Sequence, residues 1–303
     1  MSRTAFSDSG NVRTTYLRFA ALGDSTTVGV GDPVPGGGWR GWARLLAEAI
    51  ATAYDVSFCN LAVSGATAAG VLAGQLEAGL AHRPTHASLI VGVNDTMRST
   101  WDPPRMRIEL MTCAEALHGV GAELITARFH DHGAVFGLPG VLRRPLLARI
   151  ETLHRIYDEV HAAYGGIRLD LAACLEIHQR ASWSVDRLHP SELGHRALAR
   201  AYADLLHQRG LTFTPPSAEP NGGLPPSWRR DLTWMVAEGA PWMGRRARDL
   251  GPWAARRAWV STRPSRPRSS VAGLARPRLP TQRARASRAA ARLTSRGPAQ
   301  PTR

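Results

Sequence analysis

Five short apolar runs alternate with longer amphipathic segments over residues 17–208, and few architectures accept that pattern. The runs are 17–22, 56–60, 87–93, 122–127 and 167–171. The third, ASLIVGV, is the strongest strand candidate in the chain. Runs that are apolar throughout suit strands covered on both faces, which is the habit of parallel sheets. The segments between and after them read as helices over 39–52, 66–80, 104–118, 142–164 and 190–208. In the first, Trp42, Leu45, Leu46, Ala49 and Ile50 recur at helical spacing. Pro104 and Pro190 stand at helix starts, where a missing N–H costs little, and Gly210 follows the last helix. Pro145 is a candidate early break in the long fourth helix. Strand and helix alternating five times predict an α/β fold with a parallel sheet between helical layers. Right-handed crossovers then favour the flavodoxin-like order 2-1-3-4-5.

Charge divides the chain differently. All 24 acidic residues precede Arg256, whereas 256–303 holds 13 Arg and no acid. That segment carries +13 of the formal +14, so the basic balance describes a tail and not the body. All 38 basic residues are Arg, which reads as coding bias before it reads as physics. The expected organisation is a folded α/β domain over 1–213, which holds the blocks described below, and a Pro/Gly-rich linker over 214–226. A Trp/Arg-rich helical extension over 227–260 and a disordered Arg/Pro/Ala-rich tail over 261–303 follow. Ser227 is placed to cap a helix with Trp228, Leu232, Met235 and Val236 on one side. The tail reads first as a solvated end with no partner, and weak contact with nucleic acid or an anionic membrane is the alternative, as is a poorly defined reading-frame end. Residues 1–15 are polar, with no signal-peptide pattern, and no apolar run approaches the ~20 residues that span a bilayer. A cytoplasmic protein is expected. Cys59, Cys113 and Cys174 share no metal or redox spacing and are expected as buried, reduced thiols.

Four short blocks carry chemistry: Gly23-Asp24-Ser25, Gly65, Gly92-Val93-Asn94-Asp95, and Asp186-Arg187-Leu188-His189. In the 2-1-3-4-5 order the loops after strands 1, 2 and 3 meet at the switch point, which brings Ser25, Gly65 and Asn94 together. A serine hydroxyl needs a base. His189 supplies one, and Asp186, three residues earlier, can fix its tautomer. The Ser25 N–H, the Gly65 N–H and the Asn94 amide would form an oxyanion hole. No metal or organic cofactor is called for. His130, Asp131 and His132 lack further ligands at recognised spacing and read as a loop near the site mouth. His195 reads as a helix-surface residue, and Arg98 and Trp101 as either substrate contacts or cover for the sheet edge. Residues 31–38 and 129–140 are expected to shape the pocket.

The four blocks resemble those of the SGNH/GDSL hydrolases over about residues 16–210. That resemblance implies a three-layer α/β/α sandwich and hydrolysis of carboxylic esters. The implied substrates are small acyl or acetyl esters, lipids or acylated sugars. Ser25 matches the family's nucleophile, Gly65 and Asn94 its oxyanion donors, and Asp186 and His189 its acid and base. Two other functions are open: acyl transfer to another acceptor, which uses the same residues, and a non-catalytic binding protein on the same fold whose working part is the basic tail.

Overall fold

The computed structural model describes residues 16–224, 227–241, 244 and 248. The expected tail over 261–303 lies outside the described residues, as do residues 1–15 and most of 242–260. All described residues fall within one unit, Met1–Thr262.

Five parallel strands form one sheet in the order β2-β1-β3-β4-β5. They are β1 (Tyr16–Gly23), β2 (Asp55–Asn60), β3 (His86–Ile90), β4 (Glu123–Arg128) and β5 (Ile167–Asp170). Ala20 pairs with Cys59 on one side and Ala87 on the other, so β1 is central and its apolar run is buried. Helices flank the sheet as the alternation requires. α2 (Gly41–Ile50) packs on α9 (Glu192–Gln208). The other group is α3 (Ala68–Gly74), α4 (Leu76–Ala81), α6 (Pro103–Gly119) and α8 (Gly140–Tyr164). Short helical turns α1 (Ser25–Val28), α5 (Val93–Thr96) and α7 (His132–Val135) follow strand ends, and α10 (Trp228–Trp234) lies near the C-terminal limit of the described chain.

Aromatic rings fill the α2/α9 side. Trp42 meets Tyr202 at 4.8 Å between centroids, and Phe19 meets Phe58 at 5.4 Å. Two buried hydroxyls are satisfied by the sheet itself. The Tyr157 hydroxyl of α8 donates to Val91 O at 2.9 Å, just past β3, with Leu89 O of β3 also in reach at 3.1 Å, and Tyr202 of α9 donates to Thr126 O at 3.0 Å. Each bond of this kind is worth about 1 kcal/mol net, but leaving the buried partner unpaired costs more.

Four elements differ from the sequence expectation. The helix expected over 66–80 is two helices, broken at the buried Gln75, whose side chain leaves the helix to bond the Gly23 backbone. The run 87–93 stops being strand at Ile90, because Gly92 at φ +121° turns the chain into α5. That φ strains any side chain, and a Cβ there would also stand 2.7 Å from Leu153 Cδ1, which would have to shift. Pro145 does not interrupt α8, which runs from Gly140 to Tyr164 through it. At its other end, α9 begins at Glu192 behind a Ser191 cap, with Pro190 outside the helix in a bridge to Trp183.

The Pro-rich stretch after α9 runs along the body. Thr212 N–H donates to Tyr54 Oη and Thr214 N–H to Thr52 Oγ1. Further on, Arg40 donates to Asn221 O at 2.6 Å, Arg196 donates to both oxygens of Asn221, and Asn221 N–H donates to Glu192. Arg40 also grips the buried Asp32 with two bonds of 2.9 and 3.0 Å. Leu224 N–H donates to Pro33 O. Among the described residues, no helix is long and apolar enough to cross a membrane.

Candidate active site

β1 ends at Gly23, and Asp24 caps the turn that follows, its Oδ1 accepting the Thr26 N–H at 3.1 Å. Ser25 is therefore the first helical residue and not the cap, which leaves its hydroxyl uncommitted to the backbone. The loop is held from below by Gln75, whose amide accepts from Gly23 N–H and donates to Gly23 O, both at 2.9 Å. It is held from the side by Asn60, which donates to Thr27 O.

Ser25 Oγ lies 2.9 Å from His189 Nε2, and His189 Nδ1 lies 2.6 Å from Asp186 Oδ2. A proton on Nδ1, shared with the carboxylate, leaves Nε2 as an acceptor for the Ser25 hydroxyl. The Asp186–His189 turn is tight. Asp186 Oδ1 accepts the N–H groups of Leu188 and His189 and the Ser184 hydroxyl, and Ser184 N–H donates to His189 O. Arg187 sits at φ +55°, a left-handed conformation that a non-glycine residue adopts at some cost. Burial works against the Asp186 charge, yet His189, Ser184 and the backbone donors together hold its carboxyl below the ordinary range.

Gly65 and Asn94 reach the same cavity, of about 760 Å³. Gly65 has φ +79°, and the space where a Cβ would stand is open. Its carbonyl accepts from Arg98 at 3.1 Å. Asn94 Nδ2 donates to Ala66 O at 3.1 Å and more weakly to Asp24 Oδ2 at 3.4 Å. Its second N–H is thus the one less firmly held. Burial pushes the Asp24 carboxyl up to about 6 and the Asp95 carboxyl up to about 7. Asp95 accepts the Ala68 N–H and so ties the loop after β3 to α3.

All five residues singled out from sequence, Ser25, Gly65, Asn94, Asp186 and His189, line this one cavity. Arg98 lines it too, whereas Trp101 packs on the core beneath Arg149. His130 and His132 stack at 3.9 Å in its wall, and burial lowers both imidazoles, His132 to about 4. Among the described residues, no group of three or more His, Cys, Asp or Glu is placed to hold a metal ion. The three thiols are free; Cys113 is buried, but Cys59 and Cys174 are only half-buried.

His195 is not a surface residue. It is fully buried, accepting the Trp42 N–H at Nδ1 and donating from Nε2 to Val30 O, and burial lowers it to about 4. The signal was present in the sequence: His195 shares a helical stripe with Leu198, Ala199 and Tyr202. Sequence reasoning also missed Gln75, whose role depends on a partner 52 residues away. It did not place Trp234 and Met235 in the cavity wall either, though Trp234 stands edge-on to His189 with centroids 5.8 Å apart.

Residues 21–197 match the GDSL-like lipase/acylhydrolase family. Among solved structures, TesA is 23% identical and aligns at a TM-score of 0.51, covering 63% of this chain and 98% of its own. The psychrotrophic esterase EstA from Pseudoalteromonas sp., inhibited by monoethylphosphonate, is 16% identical at 0.51, covering 64% and 99%. A catalytic mutant of Axe2, an acetylxylan esterase from Geobacillus stearothermophilus, is 19% identical at 0.53, covering 66% and 97%. At such identities these likenesses show the fold. No curated protein matches the chain in sequence.

Proposed function

The chain belongs to the GDSL-like lipase/acylhydrolase family, and on that premise we propose that it hydrolyses carboxylic esters through a Ser25 acyl-enzyme. The observation that carries this reading is the unbroken hydrogen-bond chain from Ser25 through His189 to Asp186 in the wall of an open cavity. His189 Nε2 takes the hydroxyl proton as Ser25 Oγ attacks the ester carbon. The carbonyl oxygen becomes an oxyanion, met by the N–H groups of Ser25 and Gly65 and by Asn94 Nδ2. Asp186 stabilises the imidazolium and keeps its ring oriented. Collapse of the intermediate breaks the ester C–O bond, and the alcohol leaves with the proton from His189. Water then repeats the sequence on the acyl-enzyme, with the same base, and releases the carboxylic acid.

The oxyanion side is already ordered before substrate arrives. Arg98 holds the Gly65 carbonyl, and Ala66 O holds one Asn94 N–H. Donors fixed in advance need little reorganisation as charge develops.

A fluorophosphonate should label the folded protein once, at Ser25, and Ser25→Ala should lose both the label and ester hydrolysis. A fall in kcat of about 10⁵-fold or more is expected. Retained hydrolysis by pure Ser25→Ala protein would overturn the assignment.

A further inference from the structure

The matched family region ends at residue 197, yet the cavity around Ser25 is walled in part by residues far beyond it. Trp234 and Met235 both line it, and the Trp234 indole stands at 87° to the His189 ring. The chain leading toward this position is held to the body as far as Leu224. Arg40, Arg196 and Glu192 hold Asn221, and Leu224 bonds Pro33 in the loop that ends at Trp39, itself a cavity residue. α10 follows four residues after Leu224. Its Trp228, Leu232 and Val236 are exposed, so the stripe expected on one side divides, with Met235 turned to the cavity.

We propose that Trp234 and Met235, with Trp39, form an apolar wall on the leaving-group side, so that the site selects esters whose alcohol portion is apolar. The inference rests on the serine-hydrolase reading. In that reaction the departing alcohol takes its proton from His189 Nε2, so it must lie beside the imidazole. A ring packed edge-on against that imidazole therefore flanks the leaving group. Polar residues line the same cavity, Asp24, Ser64, Asn94 and Arg98 among them, and the proposed oxyanion donor Asn94 belongs to that set. On the wall, the indole N–H groups are the only polar side-chain atoms. An alkyl or aryl alcohol loses water there at no cost. A sugar alcohol would give up hydrogen bonds to water and find few replacements, a penalty of about tenfold in rate for each unpaired hydroxyl.

The test compares acetate esters, so that the acyl half is constant: hexyl acetate, methyl acetate and a monoacetylated xylose, with the full chain. The unmodified protein should prefer hexyl acetate. Trp234→Ala should lower the hexyl-to-methyl ratio of kcat/KM by about tenfold, Trp234→Phe should keep most of it, and Met235→Ala should lower it less. A merely structural role would lower all three rates together and leave the ratio alone. A ratio unmoved in both alanine variants, with the circular dichroism spectrum unchanged, would overturn the wall. So would a preference of the unmodified protein for the xylose ester. Fluorophosphonate labelling runs in parallel. Absence of label on the unmodified protein would overturn the nucleophile and the wall with it, whereas labelled variants with an unmoved ratio refute the wall alone.

Discussion

The two halves of the candidate site are built by different means. Ser25, Gly65 and Asn94 stand just beyond the ends of three adjacent parallel strands, and sheet geometry brings them together. Asp186 and His189 stand on an irregular segment between β5 and α9. Two 3-10 turns, at Leu175–His178 and Arg180–Ser182, are its only helical parts. That segment is pinned bond by bond: Trp183 Nε1 to Ile177 O, Ser191 N–H to Ser182 O, and three donors to Asp186 Oδ1. A sheet positions groups through many repeated, redundant bonds. A loop positions them through a few specific ones, so single substitutions should act more locally on the first half and more sharply on the second.

The largest expected effects set one residue from each half against the other. Asp186→Asn should reduce kcat about 10⁴-fold, because the amide favours the wrong His189 tautomer. Asn94→Ala should reduce it about 10²–10³-fold with little change in KM, since its contact strengthens as charge develops. Steady-state kinetics on one ester measures both. Equal losses would mean that orienting the base matters no more than one oxyanion donor, and a pure KM effect at Asn94 would make it a ground-state contact.

The next effect asks whether the sheet half also depends on a single side chain. Gln75→Leu removes the side-chain partner of both Gly23 backbone groups and leaves the buried Gly23 N–H without it, while Val63 N–H still reaches Gly23 O. A loss of about 2–4 kcal/mol in urea unfolding is expected, with fluorophosphonate labelling at Ser25 slowed. Unchanged stability would show that the strand end holds itself.

The smallest effect concerns pH and the support behind the loop half. His195 joins α9 to α2 and to Val30, and its folded value of about 4 lies below the ordinary 6.5. The unfolded chain therefore binds the extra proton first as pH falls, and stability drops through that window. About 2 kcal/mol should be lost between pH 7 and pH 5 on this account. Asp24 works in the opposite direction: its folded value of about 6 lies above the unfolded one, so its contribution weakens as pH rises from about 4 to 6. His195→Gln should flatten the acid side of a stability-against-pH curve measured by denaturant titration. A curve of unchanged slope would assign the acid loss to the other imidazoles that burial lowers, His86, His130, His132 and His154.

What could be read from sequence follows the same division. Strand order and the Ser25, Gly65 and Asn94 loops were legible because parallel strands leave a periodic apolar record and the switch point follows from topology. The Asp186–His189 pair was legible only through its spacing. Gln75 was not, because Gln is a good helix former and its break comes from a tertiary bond to Gly23. His195 looked exposed because its type outweighed its place on an apolar stripe. The Trp-rich extension declared aromatic surface without declaring that Trp234 would line the cavity.

The clamp on Asn221 has a consequence for how the molecule assembles. Its bond to Arg40 joins positions 181 residues apart, and it also needs Glu192 and Arg196 of α9 beside α2. The entropy lost on closing so long a loop grows only with the logarithm of its length, so distance along the chain is a modest obstacle. The stricter condition is order: the clamp has no partners until α2 and α9 have met across the finished sheet. Trp234 is therefore expected to reach His189 late in folding and to leave early in unfolding. Amide hydrogen exchange should find Asn221 and Leu224 opening at a lower free energy than β1, with the cavity losing one bank while its chemistry is still in place.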